Sequence, residues 1–385
     1  MFLKITKNST GYLTNVISIS LGMRLFSMSI IIPFLSVYAL NLKGGAPWLT
    51  GYALGIFGLT QAALQIPFGI LSDRIGYKKM LVAGLIMLIA GLLTAAYAEN
   101  IYWLIFARAL QGSGAIVTVG YSWISSVTSD EERDKALTKL GAMLATFNMM
   151  SYIVGPLVHI FLNVSQMFIL AAVLISICLV WVLVGTKQTT MAQRQKHQLE
   201  QKEKFVLNKS TFVSGLMLTV NNLLMMSLFF MLPLLLKNHL ETNQMWIVLI
   251  PAIIVAIGLL RIISKQASRG DGKRLLYLLY FLQGTGFLFL YFRTLPTMIV
   301  GTTLLMTGSF SISTIVPMLL NKHMSNSHRG KSNGVMVSLQ YFGSFLGAAL
   351  TGTIWSIAPV FAFLFAWAVT IIGMILVNIS DNKNR

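Results

Sequence analysis

Apolar residues fill this chain in stretches of about twenty, and a short polar turn closes each stretch before the next begins. A helix needs about 20 apolar residues to cross a hydrocarbon layer of about 30 Å, and lipid offers no partner for an unpaired backbone amide. Such stretches therefore read as transmembrane helices. The pattern predicts twelve, over residues 15–40, 49–71, 80–98, 101–126, 136–162, 165–184, 211–236, 243–263, 272–292, 295–320, 330–354 and 358–378. The fold class that follows is all-α and integral to the membrane.

Most turns are short, so consecutive helices are antiparallel neighbours. One interval differs. From Lys187 to Ser210 the chain reads "KQTTMAQRQKHQLEQKEKFVLNKS", with six bases, two acids and neither glycine nor proline. It divides the chain into a six-helix bundle over 1–186, a cytoplasmic linker over 187–210 and a second six-helix bundle over 211–385. The linker reads either as a solvated connector or as a surface helix that lays Met191, Leu199 and Phe205 on the inner leaflet. Two bundles of six around a basic loop are the layout of secondary transporters, which rock two repeats about a midplane site. The opening "MFLKITKNSTGYLTN" reads as a short cytoplasmic tail, because the apolar run after it is too long for a signal peptide and lacks a small-residue cleavage site.

Composition agrees with the pattern: 56% of the 385 residues are hydrophobic and 10% are charged. The net charge of +18 raises nucleic acid as a partner, but position decides against it. With both termini cytoplasmic, Lys43, Lys237 and Arg293 fall outside, Arg24 and Arg108 fall within spans, and the remaining 24 of the 29 bases lie inside. The excess base then reports topology and attraction to anionic lipid headgroups in a bacterial-type inner (plasma) membrane. No loop interleaves aromatic and basic residues as a nucleic-acid platform does. The single cysteine, Cys178, lies in the sixth span, so an intrachain disulfide is excluded and metal ligation is not suggested.

Between the second and third spans, "GILSDRIGYKKM" places one acid among three bases. Gly69 permits close helix approach, Gly76 permits a tight turn, and Asp73 can face the positive end of a helix from the other bundle. Such a hairpin reads as a latch over the cytoplasmic side; Arg74, Lys78 and Lys79 also serve as topological anchors. These residues resemble the signature loop of the major facilitator superfamily, with Gly69, Asp73, Arg74, Gly76, Lys78 and Lys79 in its pattern. Across "GIFGLTQAALQIPFGILSDRIGYKKM" and "RALQGSGAI" the chain resembles the YajR-type branch of proton-driven drug-efflux antiporters within that superfamily. Arg108, Gln111, Gly112 and Gly114 match its fourth-span antiporter motif, and "RGKSNGVMVSLQYFGSFLGAAL" resembles its glycine-rich eleventh span. The resemblance implies two bundles with pseudo-twofold symmetry, a monomer, and proton-coupled export of small molecules, with Arg108 modulating the proton step.

Three departures from that family stand out. Ser126 occupies the place where an acid commonly pairs with the hairpin arginine, and the nearest acids are Asp130 and Glu131. In the fifth span Gly155 and Pro156 are present, but Val158 and His159 stand where paired glycines are expected. The sequence runs to Arg385, just beyond the last span, so the extra soluble C-terminal domain of some YajR-type proteins is expected to be absent.

Polar residues inside spans are costly and mark function by default. Arg24 and Arg108 head this group as cavity candidates, with headgroup snorkelling as the alternative for each. Gln61 and Gln65 share a face of the second span, as Arg108 and Gln111 share one of the fourth. Asn148, Asn222, Gln340 and Tyr341 complete the expected substrate cavity; Asn148, Asn221, Asn222 and Gln340 also read as amides that hold helices together. All eleven acids fall in loops, span edges or tails. A cavity with arginines and no carboxylate is expected to prefer neutral, amphipathic or anionic compounds over dications. Proton coupling has few candidates: Asp73, His159 as either carrier or satisfied structural histidine, and Arg108 as modulator, since guanidinium does not deprotonate in proteins.

Gly51, Gly55, Gly58, Gly343 and Gly347 read as clearing grooves where helices of opposite bundles slide. The chain carries no phosphate-cradling Gly-Lys-Ser/Thr loop, no His/Cys metal spacing and no nucleophile elbow, so an enzyme, a cofactor or a metal is not expected. Expected partners are a small-molecule substrate, protons and membrane lipids. The alternatives to export are a proton-coupled uptake symporter or specific metabolite exporter and, less favoured, a non-transporting receptor.

Overall fold

The computed structural model describes residues 10–186, 208–322 and 326–381. Among the described residues there are fourteen α-helices: α1 Thr10–Ser29, α2 Ile32–Asn41, α3 Pro47–Ile75, α4 Tyr77–Ala96, α5 Ile101–Ser113, α6 Val117–Val127, α7 Asp130–His159 and α8 Val164–Gly185 in the first half. The second half comprises α9 Lys209–Leu236, α10 Trp246–Gln266, α11 Gly272–Tyr291, α12 Leu295–Lys322, α13 Asn326–Ile357 and α14 Pro359–Asp381. The linker expected over 187–210 lies outside the described residues up to 207.

Among the described residues, ten helices are long and apolar enough to cross a membrane, or eleven if the pair α1 and α2, bent by 43°, forms one broken span. One of the ten runs 50 residues from Thr242 to Tyr291, about 75 Å at ~1.5 Å per residue and more than twice a hydrocarbon layer. Gly270, at φ +120°, breaks it with a conformation that L side chains rarely adopt. The separate helices α10 and α11 both pack on α12, and dividing the run there gives twelve spans.

Two spans are broken where a continuous helix was expected. The first divides at Ile30–Ile31, just before Pro33, whose ring cannot accept a preceding helical turn. The fourth divides at Gly114–Ile116, between α5 and α6. Conversely α7 and α13, of 30 and 32 residues, run well past the predicted spans at the hairpin end.

The packing pattern of the first half is repeated in the second. The first span packs on the fifth and sixth, the third on the fourth and sixth, and the second on the fourth; the seventh to twelfth spans pair in the same order. Between the halves, α3 packs along α13, α2 on α9 and, over a smaller area, α7 on α10. A single continuous set of buried apolar side chains runs through both. One apolar core thus extends through both halves, and the packing between them concentrates on α3 and α13.

Candidate functional site

The site grows from one buried arginine. Arg24 lies midway along the broken first span and is fully buried. Its Nη2 donates to Gln61 Oε1 at 2.6 Å, Gln61 Nε2 donates to Gln65 Oε1 at 2.8 Å, and Gln65 Nε2 donates to Thr118 Oγ1. The four side chains come from α1, α3 and α6. Gln61 and Gln65 sit one helical turn apart, which lets one amide pass its hydrogen bond to the next. Every donor points away from Arg24 and every acceptor towards it, so the chain holds the guanidinium in place. From the other half, Tyr341 of α13 brings its phenol to the guanidinium. Arg24 Nε and Nη1 are buried without a partner.

Arg108 is placed differently. It is 2% exposed and enclosed by α3, α4 and α5 of the first half. Nη1 donates to Gln111 Oε1 at 2.8 Å, Nε reaches the carbonyl of Ala53 at 3.4 Å, and the guanidinium lies 5.1 Å from the centre of the Phe57 ring. Gln111 Nε2 in turn donates to the Gly91 carbonyl at 2.9 Å. The expected pair Arg108 and Gln111 therefore ties α3, α4 and α5 together inside one half. Arg108 approaches the other half through Phe57, whose ring meets that of Tyr341 edge-on.

The remaining cavity candidates fall into two groups. Ser29 Oγ donates to Asn148 Oδ1 at 2.8 Å, bridging the first and fifth spans. Tyr152, one turn beyond Asn148, stacks between Phe229 and Phe310 of the second half with centroids at 5.3 and 5.8 Å. In that half Gln340 Nε2 donates to Asn222 Oδ1 at 3.2 Å, and Asn222 Nδ2 donates to Ser344 Oγ at 3.0 Å. Asn221 faces elsewhere: it donates to Ser313 Oγ at 2.9 Å and accepts from Gln283 Nε2 at 2.9 Å, a buried polar joint within the second half. Tyr152 and Thr118 were not anticipated, because an isolated aromatic or threonine in an apolar run carries no periodic signal.

The halves close on each other at the end remote from the hairpin. A β-carbon at Gly51 would overlap the carbonyl oxygen of Ala348, one at Gly55 would lie 2.8 Å from that of Phe345, and one at Gly58 would lie 2.5 Å from that of Tyr341. These glycines make the α3–α13 crossing possible. Gly343 and Gly347 do not share that role. They abut the backbone of Thr219 and Leu223 on α9, within their own half, while Gly352 faces Pro47 and Gly51 across the crossing. Ser36 Oγ adds a hydrogen bond to the Phe229 carbonyl at 3.4 Å.

At the opposite end sits the charged hairpin. Gly76, at φ +108° and ψ +138°, makes the turn between α3 and α4. Gly69 lets α3 approach Thr118 of α6, where a β-carbon would meet Cγ2 at 3.2 Å. Asp73 accepts a hydrogen bond from the Tyr77 hydroxyl at 2.8 Å. Lys78 Nζ donates to the carbonyls of Leu183 and Thr186 at 2.8 and 2.5 Å, capping the C-terminus of α8. Arg74 and Lys79 are exposed.

His159, the last residue of α7, stacks on Phe34 at 4.1 Å, and its Nδ1 lies 3.0 Å from the Leu162 carbonyl. It borders a cleft of 760 Å³ at the end remote from the hairpin, lined also by Lys237, His239 and Glu241. Four residues earlier, Gly155 abuts Ile30, where a β-carbon would meet the carbonyl oxygen at 2.5 Å. Gly155 and His159 thus seat α7 against the break in the first span.

Comparison with known proteins completes the picture. The Major Facilitator Superfamily sequence pattern matches residues 17–348. The inner membrane transport protein YajR of Escherichia coli is 29% identical over 343 residues, 86% of this chain and 75% of that protein. The multi-drug resistance efflux pump PmrA of Streptococcus pneumoniae is 30% identical over 202 residues, 49% of this chain and 46% of the pump. Among solved structures, a bacterial homologue of the human lysosomal transporter Spinster, in an inward-facing and occupied conformation, superposes with a TM-score of 0.73 at 12% identity, covering 96% of this chain and 95% of that one. The nucleoside transporter NupG gives 0.69 at 14% identity, covering 96% of this chain and 98% of that one. The chain is a multi-pass membrane transporter and belongs to the Major Facilitator Superfamily.

Proposed function

We propose that this transporter exports amphipathic small molecules in exchange for protons by alternating access, with the base-rich hairpin end in the cytoplasm and the chain acting as a monomer. The observation that carries the reading is the contact between the halves, in which α3 and α13 close through Gly51, Gly55 and Gly58 at the end remote from the hairpin. A transporter of two rocking repeats needs such a contact in its inward-facing state. The similarity to YajR and, over half the chain, to a multi-drug efflux pump supports export. Arg24, Gln61, Gln65, Asn148, Tyr152, Asn222, Gln340 and Tyr341 are the proposed cavity residues. Asp73 is the proposed latch and a candidate for proton exchange, His159 a second candidate, and Arg108 a packing residue beside the route.

The partial fifth-span motif, in which Val158 and His159 replace paired glycines, favours proton-coupled uptake as a second reading. Everted vesicles separate the two. Under export, adding substrate to energised vesicles alkalinises the lumen, and cells lacking the protein accumulate more compound at acidic external pH. Under uptake, those cells accumulate less.

A further inference from the structure

The two intramembrane arginines meet opposite fates. Arg108 is satisfied by Gln111, the Ala53 carbonyl and the Phe57 face. Arg24, though fully buried, donates to Gln61 and has the Tyr341 phenol beside it, yet its Nε and Nη1 remain unmet. No counter-charge stands nearby: among the described residues Asp73, Glu99, Asp130, Glu131, Glu132, Asp134, Glu241, Asp271 and Asp381 all lie at helix ends or in turns. An uncompensated guanidinium in a low-dielectric interior is expensive, and a carboxylate removed from a buried pair leaves just such a charge. Here the anion is missing from the protein while the cation is held ready by Gln61 and Gln65. Arg24 sits midway along the span, about equally far from both of its ends.

We propose that Arg24 recognises the anionic group of the transported compound, with the Tyr341 phenol contributing from the second half. This rests on the cavity assignment above and deepens it: the substrate class is amphipathic organic anions, such as aryl carboxylates or sulfonates. Charge-assisted hydrogen bonds to guanidinium are the stronger kind, and an anion held by α1 and α13 together touches both moving halves.

The test is equilibrium binding to the purified full-length protein in phosphatidylcholine nanodiscs, using three probes on one ring: naphthalene-2-sulfonate, naphthalene-2-sulfonamide and trimethyl(2-naphthyl)ammonium. The sulfonate is expected to bind at least tenfold more tightly than the other two. Arg24→Gln, which keeps a donor for Gln61, is expected to abolish that preference and to melt no lower than wild type without ligand. Should that variant not fold, Arg24→Lys keeps the charge and is expected to retain a weakened preference, while Tyr341→Phe reduces it several-fold. Equal binding of the three probes, binding of none, or a preference that survives Arg24→Gln overturns the proposal. Failure of the vesicle assay would remove proton-coupled export and leave this binding result standing.

Discussion

The ring of Phe57 meets the ring of Tyr341 edge-on, 5.9 Å apart and at 82°, and this contact joins the first half of the protein to the second. Arg108 lies 5.1 Å from the centre of the Phe57 ring, and Arg24 interacts with the phenol of Tyr341. Two guanidiniums therefore flank one aromatic pair that must separate whenever the halves part.

The crossing just beyond that pair has no room for a side chain. Gly58→Leu would drive atoms into the Tyr341 carbonyl, and overpacking of this kind costs about 1–3 kcal/mol in the closed arrangement. That shifts the balance towards the opposite opening by about 5- to 150-fold. In a Cys178→Ala background, a cysteine at the buried Ala348 is expected to react faster with an impermeant maleimide once Gly58→Leu is added.

Arg108 is expected to behave as a packing residue. Arg108→Lys loses the planar contact with Phe57 and breaks the fixed geometry towards Gln111 and Ala53, at a cost of about 1–3 kcal/mol. Thermal unfolding in detergent measures it. A variant as stable as wild type but inactive would instead give Arg108 a direct transport role.

Neighbouring lysines in the hairpin should separate cleanly. Lys78 caps α8, so Lys78→Met is expected to lower stability by about 0.3–1 kcal/mol through loss of the charge at the helix C-terminus. Lys79 is exposed, and Lys79→Met is expected to leave the unfolding midpoint unchanged.

Asp73→Asn preserves an oxygen that can accept from Tyr77 while removing the charge proposed for the latch. Stability should hold, and transport should fall by tenfold or more as the cytoplasm-closed state loses its anchor. Measuring the unfolding midpoint beside uptake into everted vesicles checks both halves of that expectation.

Span number and the hairpin were legible in the sequence because both are local: twenty apolar residues announce a helix wherever they pack, and Gly76 sits in a turn that needs a positive φ. What was not legible depends on which helix lies beside which face. Arg24 and Arg108 look alike in the sequence, and only their neighbours make one satisfied and the other unmet. Gly343 and Gly347 looked like part of the contact between the halves, yet the second half uses them for α9. The break at Gly270 was legible as well, because the polar stretch from Ser264 to Arg274 separates the two apolar runs that α10 and α11 form.

The 43° bend of the first span has a mechanical consequence. Below the break, α1 packs on α6, α7 and α8 of its own half; above it, α2 packs on α3, α7 and α8 of that half and also on α9 of the other. A rigid rod would have to move as one piece, but a rod jointed at Ile30–Ile31 and steadied by Gly155 lets α2, at the seam with α9, tilt without carrying α1 with it. Such a joint would work as a flexure, and stiffening it should slow turnover while leaving the hydrogen-bond chain from Arg24 to Thr118 in place.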